Sequence, residues 1–340
     1  MNDNLTCCLD WISFTFPVSY TLPDVIEFLG FDIREFQYLD GGASGYSRRC
    51  RHNLYNIWIL WQGNNDMGVH VDCSGSAVNA LVDSVVKDYV TTPFGDGYVL
   101  EDFNISVLRQ FFIKLIPVVK FSRIDLAIDD TTGLYYSLTE LHQVGLDLSY
   151  ISLFKQWKET FSKSTDDGNL LGYTVYLGSR TSDLFVRIYD KRLEQISKGV
   201  DVPYSSWVRW EMEIKHDNAQ SVAEKISTYQ EFNQLVFDLL NRYIRIVDLT
   251  TSNRKRRCKN AKKWDDFIGA VNRIRLTRNK SDYDIIEKKR NWLMESCGKS
   301  LSLVLASDGG DEQLIYDMLK YGRSKFTSSD IDIINSKLHA

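Results

Sequence analysis

Proline, glycine and long apolar runs are all scarce in this chain, and each absence excludes a class of protein. Five prolines and twenty glycines among 340 residues argue against long disordered linkers. The longest apolar stretch, residues 111–121, is broken by Lys114, Pro117 and Lys120, so no segment is long enough to span a bilayer. Residues 1–16 contain no basic segment followed by a clean apolar one, and we therefore predict no signal peptide. The hydrophobic content of 44% and aromatic content of 13% are typical of an ordered globular protein.

Cysteine pairs with the spacing of a zinc site are also absent. No C-x-x-C motif occurs, and the adjacent pair Cys7–Cys8 is poorly spaced for binding zinc. We expect reduced and mostly buried thiols, as in intracellular proteins, and together with the missing signal peptide this predicts a cytoplasmic protein. The six cysteines are Cys7, Cys8, Cys50, Cys73, Cys258 and Cys297.

The chain as a whole is not basic, because its net charge is −4, but its charge is distributed unevenly. Residues 253–290 contain fourteen Lys or Arg and five Asp or Glu. We interpret this excess as a surface for DNA phosphates on an otherwise acidic body; the alternative is a solvated helical face. The candidate phosphate-binding residues are Arg254, Lys255, Arg256, Arg257, Lys262 and Lys263.

The abrupt change in composition near 248–253 predicts a boundary between two parts of the chain. Residues 1–248 form one domain in this interpretation, and residues 249–340 form a basic, helical C-terminal region. Trp264 and Trp292 interrupt the basic stretch, and we expect core packing rather than base stacking for both.

Hydrophobic periodicity predicts an α+β fold with a central, mainly antiparallel sheet and flanking helices. Helices are expected at 22–30, 77–90, 104–119, 139–162 and from 216 to about 248. Strands are expected at 9–16, 56–62, 68–73, 121–129, 171–178, 183–191 and 207–215.

Three of these strands combine an apolar face with a charged one. Side chains alternate along a strand, so every second residue shares a face. Taken singly, each charged face is typical of a half-buried strand with solvent on its polar side. If the strands are neighbours, four carboxylates, one tyrosine and several cations meet in one patch. The charged faces are Arg123, Asp125 and Asp129; Arg187, Tyr189 and Lys191; and Arg209, Glu211, Glu213 and Lys215.

The carboxylates of this patch are ligands of the type that hard divalent cations prefer. Asp125, Glu211 and Glu213 are the first candidates for Mg²⁺ or Mn²⁺, and Asp129 is the next. A bound ion in such a patch offsets charge during phosphoryl transfer. Arg209 and Lys215 are further candidates for phosphate contacts.

Tyr189 is the candidate nucleophile of the patch. A phenol has a pKa near 10, so it needs activation at neutral pH, and a metal ion with the flanking cations Arg187 and Lys191 would favour the phenolate. From the pattern alone, a packing role for a tyrosine in a strand is the more common outcome. Tyr135 and Tyr136 offer a less favoured alternative.

Four segments, met in order along the chain, give it a family resemblance. They are MGVHVDCSGSAVNAL at 67–81, FSRIDLAIDD at 121–130, GYTVYLGSRTSDLFVRIYDKRLEQ at 172–195 and WVRWEMEIKHDNA at 207–219. The chain resembles the Rep_trans replication initiation factors, which are rolling-circle initiators of plasmids and related relaxases of conjugative elements. The resemblance covers roughly residues 55–220, with weaker similarity to about 305.

The resemblance implies a site-specific DNA nicking and closing enzyme. The tyrosine of the family's R-x-Y-[DN]-K segment corresponds to Tyr189, and the family's acidic metal-binding residues match Asp125, Glu211 and Glu213 by position. The implied reaction leaves a 5′-phosphotyrosyl link and a free 3′-OH, and later closes the strand. The family also implies origin DNA as partner, a homodimer, C-terminal origin recognition and a host helicase.

The histidines agree with this family rather than with nickases whose metal is held by histidine. No His-hydrophobe-His motif occurs among the five histidines. Three alternatives stay open from the sequence: a conjugative relaxase with the same chemistry, an origin-binding protein without catalysis, and a metal nuclease that uses water while Tyr189 is structural.

Overall fold

The structure, a computed structural model, is built around one large sheet. It describes residues 5–64, 66–91, 105–228, 231–269, 275–276, 290, 293–327, 330–331 and 334. The strands in chain order are β1 Leu5–Phe16, β2 Phe36–Leu39, β3 Arg48–His52, β4 Ile57–Trp61, β5 Val69–Ser74, β6 Lys120–Asp130, β7 Tyr150–Ser152, β8 Trp157–Lys163, β9 Leu170–Leu177, β10 Leu184–Asp190, β11 Val208–Lys215, β12 Ile244–Ile246 and β13 Arg275–Leu276.

Eleven of these strands form the large sheet, in the order β2-β3-β4-β5-β1-β6-β11-β10-β9-β8, with β13 added beside β1. All of its pairs are antiparallel except β1 with β13. β12 and β7 form a separate two-stranded sheet. The order brings β6, β11 and β10 together at the centre, which confirms the expected α+β fold with a mainly antiparallel sheet.

Ten helices accompany the sheet in the described part of the chain. They are α1 Leu22–Phe28, α2 Ala77–Thr91, α3 Ile105–Leu115, α4 Leu138–Leu146, α5 Lys191–Ser197, α6 His216–Thr228, α7 Phe232–Tyr243, α8 Lys262–Gly269, α9 Gly298–Ser307 and α10 Gln313–Arg323.

The sheet has two unlike faces because its central strands alternate strictly. Ile124, Leu126 and Ile128 of β6 are buried in the hydrophobic core, as are Trp210 and Met212 of β11. Helices α2, α3 and α6 pack over this face, and burial of its apolar area is the main stabilising contribution. The opposite face, which we call the open face, carries the charged residues of the same strands.

Local signals explain where several elements begin. Thr21 caps α1 and forms a reciprocal capping box with Asp24, and Ser137 does the same for α4 with Glu140. Asp190, the last residue of β10, caps α5 by accepting a hydrogen bond from the backbone N–H of Leu193. The chain therefore turns into α5 immediately after Tyr189, which fixes that residue at the end of its strand.

Two helix predictions were wrong. The stretch 139–162 is helical only in α4 and then forms β7 and β8, and the helical pattern after 216 gives way to β12 before residue 248. β7 and β12 pair with each other although they are distant in sequence, and β8 pairs with the following strand, β9. Local helical periodicity does not register such strand pairing. Trp264 is fully buried, as expected, whereas Trp292 lies outside the described residues. In the part of the chain that is described, every helix is too short or too polar to cross a membrane.

Candidate active site on the open face

Strand register brings the predicted site residues into neighbouring rows on the open face. Glu213 of β11 lies opposite Asp125 of β6, and Glu211 lies opposite Arg187 of β10. In the next row, Arg209 lies between Tyr189 and Asp129. The convergence expected from alternation therefore occurs, since side chains directly opposite each other in a sheet are in contact.

Tyr189 and Glu211 form the central contact of this face. The Tyr189 hydroxyl donates to Glu211 Oε2 at 2.9 Å, and Arg187 binds the other oxygen, Oε1. Burial and then the charge of Glu211 raise the pKa of Tyr189 well above its ordinary value. The resting side chain is thus a protonated phenol, and the expectation that its flanking cations favour the phenolate does not hold here. The reason is that Arg187 is neutralised by Glu211, while Lys191 Nζ lies 2.6 Å from Glu194.

Asp125 is the most deeply buried carboxylate of the cluster. Arg123 holds it through two hydrogen bonds of 2.8 and 2.6 Å and reaches Glu213 Oε2 at 3.0 Å. Burial, reinforced by the charges of Glu211 and Glu213, raises the pKa of Asp125 to about 8 in spite of Arg123. Three carboxylates are therefore held together at one point of the sheet, and the buried one is favoured in its protonated form.

This cluster offers suitable oxygen ligands for a divalent cation, but those oxygens are already paired with cationic side chains. Asp125, Glu211 and Glu213 supply the right kind of oxygen. Their oxygens, however, are engaged by Arg123, Arg187 and Lys215, and among the described residues no three acidic, His or Cys side chains are arranged to hold an ion. The donor set suits Mg²⁺ or Mn²⁺, but binding requires the guanidinium groups to release these oxygens.

Asp129 and Arg209 belong to a separate, closed network. Arg209 is fully buried and donates to both oxygens of Asp129 at 2.7 Å and to Asp10 Oδ1 at 2.6 Å. Trp207 Nε1 also donates to Asp129, at 2.7 Å. Asp129 therefore has little capacity left for a metal, and Arg209 has no exposed edge for a phosphate. Both belong instead to a buried network beside Tyr189 in the sheet.

The two predicted lysines of the face are engaged as well. Lys191 is buried, and its ammonium lies 5.6 Å from the Tyr189 ring centroid. Lys215 lies 2.5 Å from Glu213 Oε1 and donates to the carbonyl of Arg180. Arg187 keeps one unused group: in the described residues its buried Nε has no hydrogen-bond partner. A buried donor without an acceptor is uncommon in a folded protein and marks this position for attention.

Tyr189 lies in a groove of about 810 Å³ between two walls. One wall comes from β1 and the segments next to β4 and β5, and the other from β9, β10 and α5. Glu211 and Arg187 also line the groove, so the nucleophile candidate, its carboxylate and the unpaired Arg187 donor face one space. The two walls are represented by Asp10, Arg51, Asn56, Tyr176, Tyr189 and Lys198.

Asp10 and Arg123 were not selected as site residues from the sequence. Asp10 lies at an irregularity in the pairing of β1 with β6, between Leu9 and Trp11, and its carbonyl accepts a hydrogen bond from Gly75 N–H at 2.7 Å. Gly75 has a φ of 67°, a conformation that favours glycine. A lone Asp after the apolar run CCL was the only available signal for Asp10, and it does not indicate a partner.

The predicted basic residues form an exposed loop and one surface ion pair. Arg254, Lys255, Arg256 and Arg257 are all exposed, and Arg245 fixes the loop from below through the carbonyls of Arg256 and Cys258 and the side chain of Asn260. Lys262 is exposed too, whereas Lys263 pairs with Glu140. Lys255 also contacts the protein, since its ammonium lies 4.8 Å from the Tyr150 ring centroid.

The fold is similar to that of a solved rolling-circle initiator. A solved structure described as a rolling circle replication initiator protein from Geobacillus stearothermophilus superposes with a TM-score of 0.66 and 26% identity, covering 81% of this chain and 99% of that one. Residues 119–319 match the family described as Replication initiation factor, Rep_trans. This match spans more than half of the chain, and the chain belongs to that family.

One relative of this chain is described as a relaxase. The chain is 34% identical over 193 residues to a protein of Bacillus subtilis (strain 168) described as a putative DNA relaxase, NicK. The alignment covers 55% of this chain and 53% of the relative, so the chain spans about half the length of that protein.

Proposed function

We propose that this chain initiates rolling-circle replication by nicking one strand of origin DNA with Tyr189 and later rejoining it. The observation that carries the proposal is the 2.9 Å hydrogen bond from the Tyr189 hydroxyl to Glu211 in a groove open to solvent. A phenol with a raised pKa needs a base within hydrogen-bonding distance at the moment of attack, and Glu211 is in that position.

The chemistry is built on these contacts. Tyr189 Oη attacks the phosphorus of a phosphodiester while its proton passes to Glu211 Oε2. The bond from phosphorus to O3′ breaks, and O3′ leaves as a free 3′-OH after taking a proton from solvent. The 5′-phosphate stays bonded to Tyr189, which preserves the energy of the phosphodiester for closure. In the reverse direction a 3′-OH attacks the phosphotyrosine and loses its proton to solvent, the bond from phosphorus to Tyr189 Oη breaks, and Glu211 returns its proton to the phenol.

Arg187 and the carboxylate cluster would balance the charge of the reaction. The unpaired Nε of Arg187 is suited to donate to a non-bridging phosphate oxygen, which carries negative charge in the transition state. A Mg²⁺ or Mn²⁺ ion held by Asp125, Glu213 and Glu211 would supply further charge neutralisation at that phosphate. Lys191, next to the Tyr189 ring, and Arg209, the neighbour of Tyr189 on β11, would restrict the position of the tyrosine.

The basic loop Arg254–Arg257 is our candidate for sequence-independent contact with duplex DNA at the origin. Its four exposed cations are presented by a loop that Arg245 fixes, and each phosphate they neutralise would add about 0.9 to the salt dependence of binding. We keep the proposed division into a nicking domain, 1–248, and a DNA-recognition region, 249–340. A homodimer and a host helicase are further proposed partners.

A conjugative relaxase is the second candidate function, and the 34% identity to a putative DNA relaxase favours it specifically. The nicking step is the same for both functions. They differ in the fate of the nicked strand, because an initiator leaves a 3′-OH for a polymerase whereas a relaxase transfers the bound strand to a recipient cell.

The test is formation of a covalent adduct. The protein is incubated with Mg²⁺ or Mn²⁺ and single-stranded oligonucleotides tiled across its own gene and the flanking DNA, and adducts are separated on a denaturing gel. We expect one oligonucleotide to give an adduct that Tyr189→Phe abolishes and that Tyr176→Phe, a tyrosine of the same groove, retains. Nicking without an adduct would indicate a hydrolytic nuclease, and an adduct in Tyr189→Phe would overturn the assignment of the nucleophile.

A further inference from the structure

The open face continues beyond the candidate active site into the N-terminal part of the sheet. Asp72 of β5 lies opposite Ser13 of β1 and also opposite Trp58 of β4, and Trp58 in turn lies opposite Arg51 of β3. Arg51 therefore shares a face with Ser13 and with its opposite residue on β6, Arg123. This extension lies outside residues 119–319, the part of the chain that matches the family.

Trp58 is the centre of this extension, and its ring is held in one orientation. Its Nε1 donates to Asn56 Oδ1 at 3.0 Å, and Asn56 Nδ2 donates to Ser74 Oγ at 2.6 Å. The guanidinium carbons of Arg51 and Arg49 lie 5.5 and 5.6 Å from the Trp58 ring centroid. An indole ring with two guanidinium groups beside it offers several flat surfaces for stacking.

The charge of this group is not balanced by the protein. Among the described residues, neither Arg49 nor Arg51 lies within 4.0 Å of a carboxylate oxygen, and the buried Nε of Arg49 has no hydrogen-bond partner. The one carboxylate on the neighbouring strand, Asp72, accepts from Trp11 and Ser13 instead. Arg49 donates to the carbonyl of Asp40 at 3.4 Å, which leaves the positive charge of both arginines uncompensated and suited to an anionic partner.

The group is continuous with the groove of Tyr189. Arg51 and Asn56 line that groove together with Tyr189 and Arg187. A strand whose scissile phosphate lies at Tyr189 would pass Asn56 and reach the Arg51–Trp58 surface without leaving the open face. Duplex DNA offers phosphates but not free base faces, whereas single-stranded DNA offers both.

We propose that Arg49, Arg51 and Trp58 form a binding track for single-stranded DNA that holds the strand next to the nick site. The two guanidinium groups contact phosphates, and the Trp58 ring stacks on one base. The proposal rests on the proposed function only for the strand that lies at Tyr189. Binding by the track itself is measurable without nicking.

The first measurement is the affinity for a fluorescein-labelled 24-nucleotide oligo-dT by fluorescence anisotropy at low salt. Stacking of one base contributes about 1–3 kcal/mol, which corresponds to roughly 5- to 150-fold in affinity. We expect Trp58→Leu to weaken binding by about tenfold or more and Trp58→Phe to restore most of it. The control is Tyr38→Leu, since Tyr38 is an exposed aromatic residue on the other face of β2.

The second measurement compares two variants that each remove one positive charge, from opposite faces of β3. Arg51→Gln should weaken oligo-dT binding and lower its salt slope by about 0.7, whereas Arg48→Gln should change neither. Arg48 is also exposed but alternates to the opposite face of β3. These surface variants keep the test informative if Trp58→Leu does not fold. Equal effects of Arg51→Gln and Arg48→Gln would overturn the track.

The two proposals fail in different ways. If Trp58→Leu and Arg51→Gln bind oligo-dT as tightly as the wild type while adducts form normally, the track is wrong and the nicking function stands. If both variants lose affinity but the wild type forms no adduct, the track stands and the proposed chemistry falls. Blunt duplex DNA of the same length should bind all of these variants with similar affinity. A strong loss of duplex affinity in Trp58→Leu would argue against a site for single-stranded DNA.

Discussion

Two polar clusters on the same sheet are built in opposite ways, one around a single carboxylate and the other around three. Glu159 of β8 accepts hydrogen bonds from His142, Trp157 and Tyr173, each at 2.7 Å. Burial alone would raise the pKa of Glu159, but these hydrogen bonds lower it below its ordinary value. One carboxylate with three donors is a satisfied structural group.

The cluster beside Tyr189 has the reverse balance. It gathers three carboxylates, raises the pKa of Asp125 to about 8 and leaves the buried Nε of Arg187 unpaired in the described structure. Crowded like charges and unused donors cost stability, and such costs are concentrated at functional sites. A count of acidic residues therefore does not identify a site, whereas the match between acceptors and donors does.

The largest expected effect is on nicking, from Glu211→Gln. The amide keeps the shape of the side chain but cannot take the phenol proton, so we expect the rate of adduct formation to fall by about 10²- to 10⁴-fold while oligonucleotide affinity persists. The matched change in the other cluster, Glu159→Gln, should leave the rate within about twofold of the wild type, because general-base losses arise only at the reacting group. Equal losses of rate in both variants would contradict the distinction between the cluster beside Tyr189 and the structural cluster around Glu159.

The second prediction concerns the network that supports Tyr189. Arg209→Met leaves Asp129 and Asp10 facing each other without their shared cation, and breaking a buried pair in this way costs about 3–5 kcal/mol. Urea unfolding should show this loss of stability. Arg34→Gln, which removes the exposed partner of Asp32, should leave the free energy of unfolding close to that of the wild type, because an exposed ion pair contributes little. A small effect of Arg209→Met would mean that Arg209 is not the structural support that its contacts indicate.

The sequence predicted which residues share the open face but not which of them form ion pairs with each other. Alternation along β6, β10 and β11 placed Asp125, Tyr189 and Glu211 on one face, because a period of two is a local property. It could not show that Arg209 is buried between Asp129 and Asp10, since Asp10 lies on β1, some 200 residues away along the chain. Phosphate binding was the natural expectation for an arginine whose partners were not visible.

The strands that were missed have the same explanation. β7 and β8 come after α4 in a stretch of helical periodicity; β7 pairs with β12, which is distant in sequence, and β8 forms a hairpin with the next strand, β9. β2 and β3, which support the Arg49–Arg51 surface, are short and carry no clean alternation of apolar and polar residues. Tertiary pairing overrides local preference most easily in such segments.

The third prediction uses the pH dependence of stability at Asp125. The pKa is about 8 in the folded state and 3.8 as the ordinary value, so the folded protein keeps a proton that the unfolded chain loses. The stabilising effect is complete below pH 3.8 and is lost as the pH rises to 8. In EDTA, Asp125→Asn should therefore flatten the decline in the free energy of unfolding between about pH 4 and pH 8. An unchanged slope would contradict the raised pKa.

The smallest expected effect is at Glu159, and its pH dependence has the opposite sign. The folded-state pKa is lowered, so the stabilisation is present above the ordinary value of 4.5 and disappears as the pH falls through the folded-state pKa. Glu159→Gln keeps the shape but loses charge-assisted hydrogen bonds, which predicts a loss of about 1–2 kcal/mol at pH 7.

Urea unfolding of the wild type and Glu159→Gln across pH 3–8 checks this prediction. The difference between the two proteins should be constant at neutral pH and shrink below about pH 4.5, because protonated Glu159 makes the same weaker contacts as the amide. A difference that grew toward low pH would give Glu159 the sign expected for Asp125. The two clusters would then share one electrostatic design, and donor balance would no longer distinguish the candidate active site from its structural neighbour.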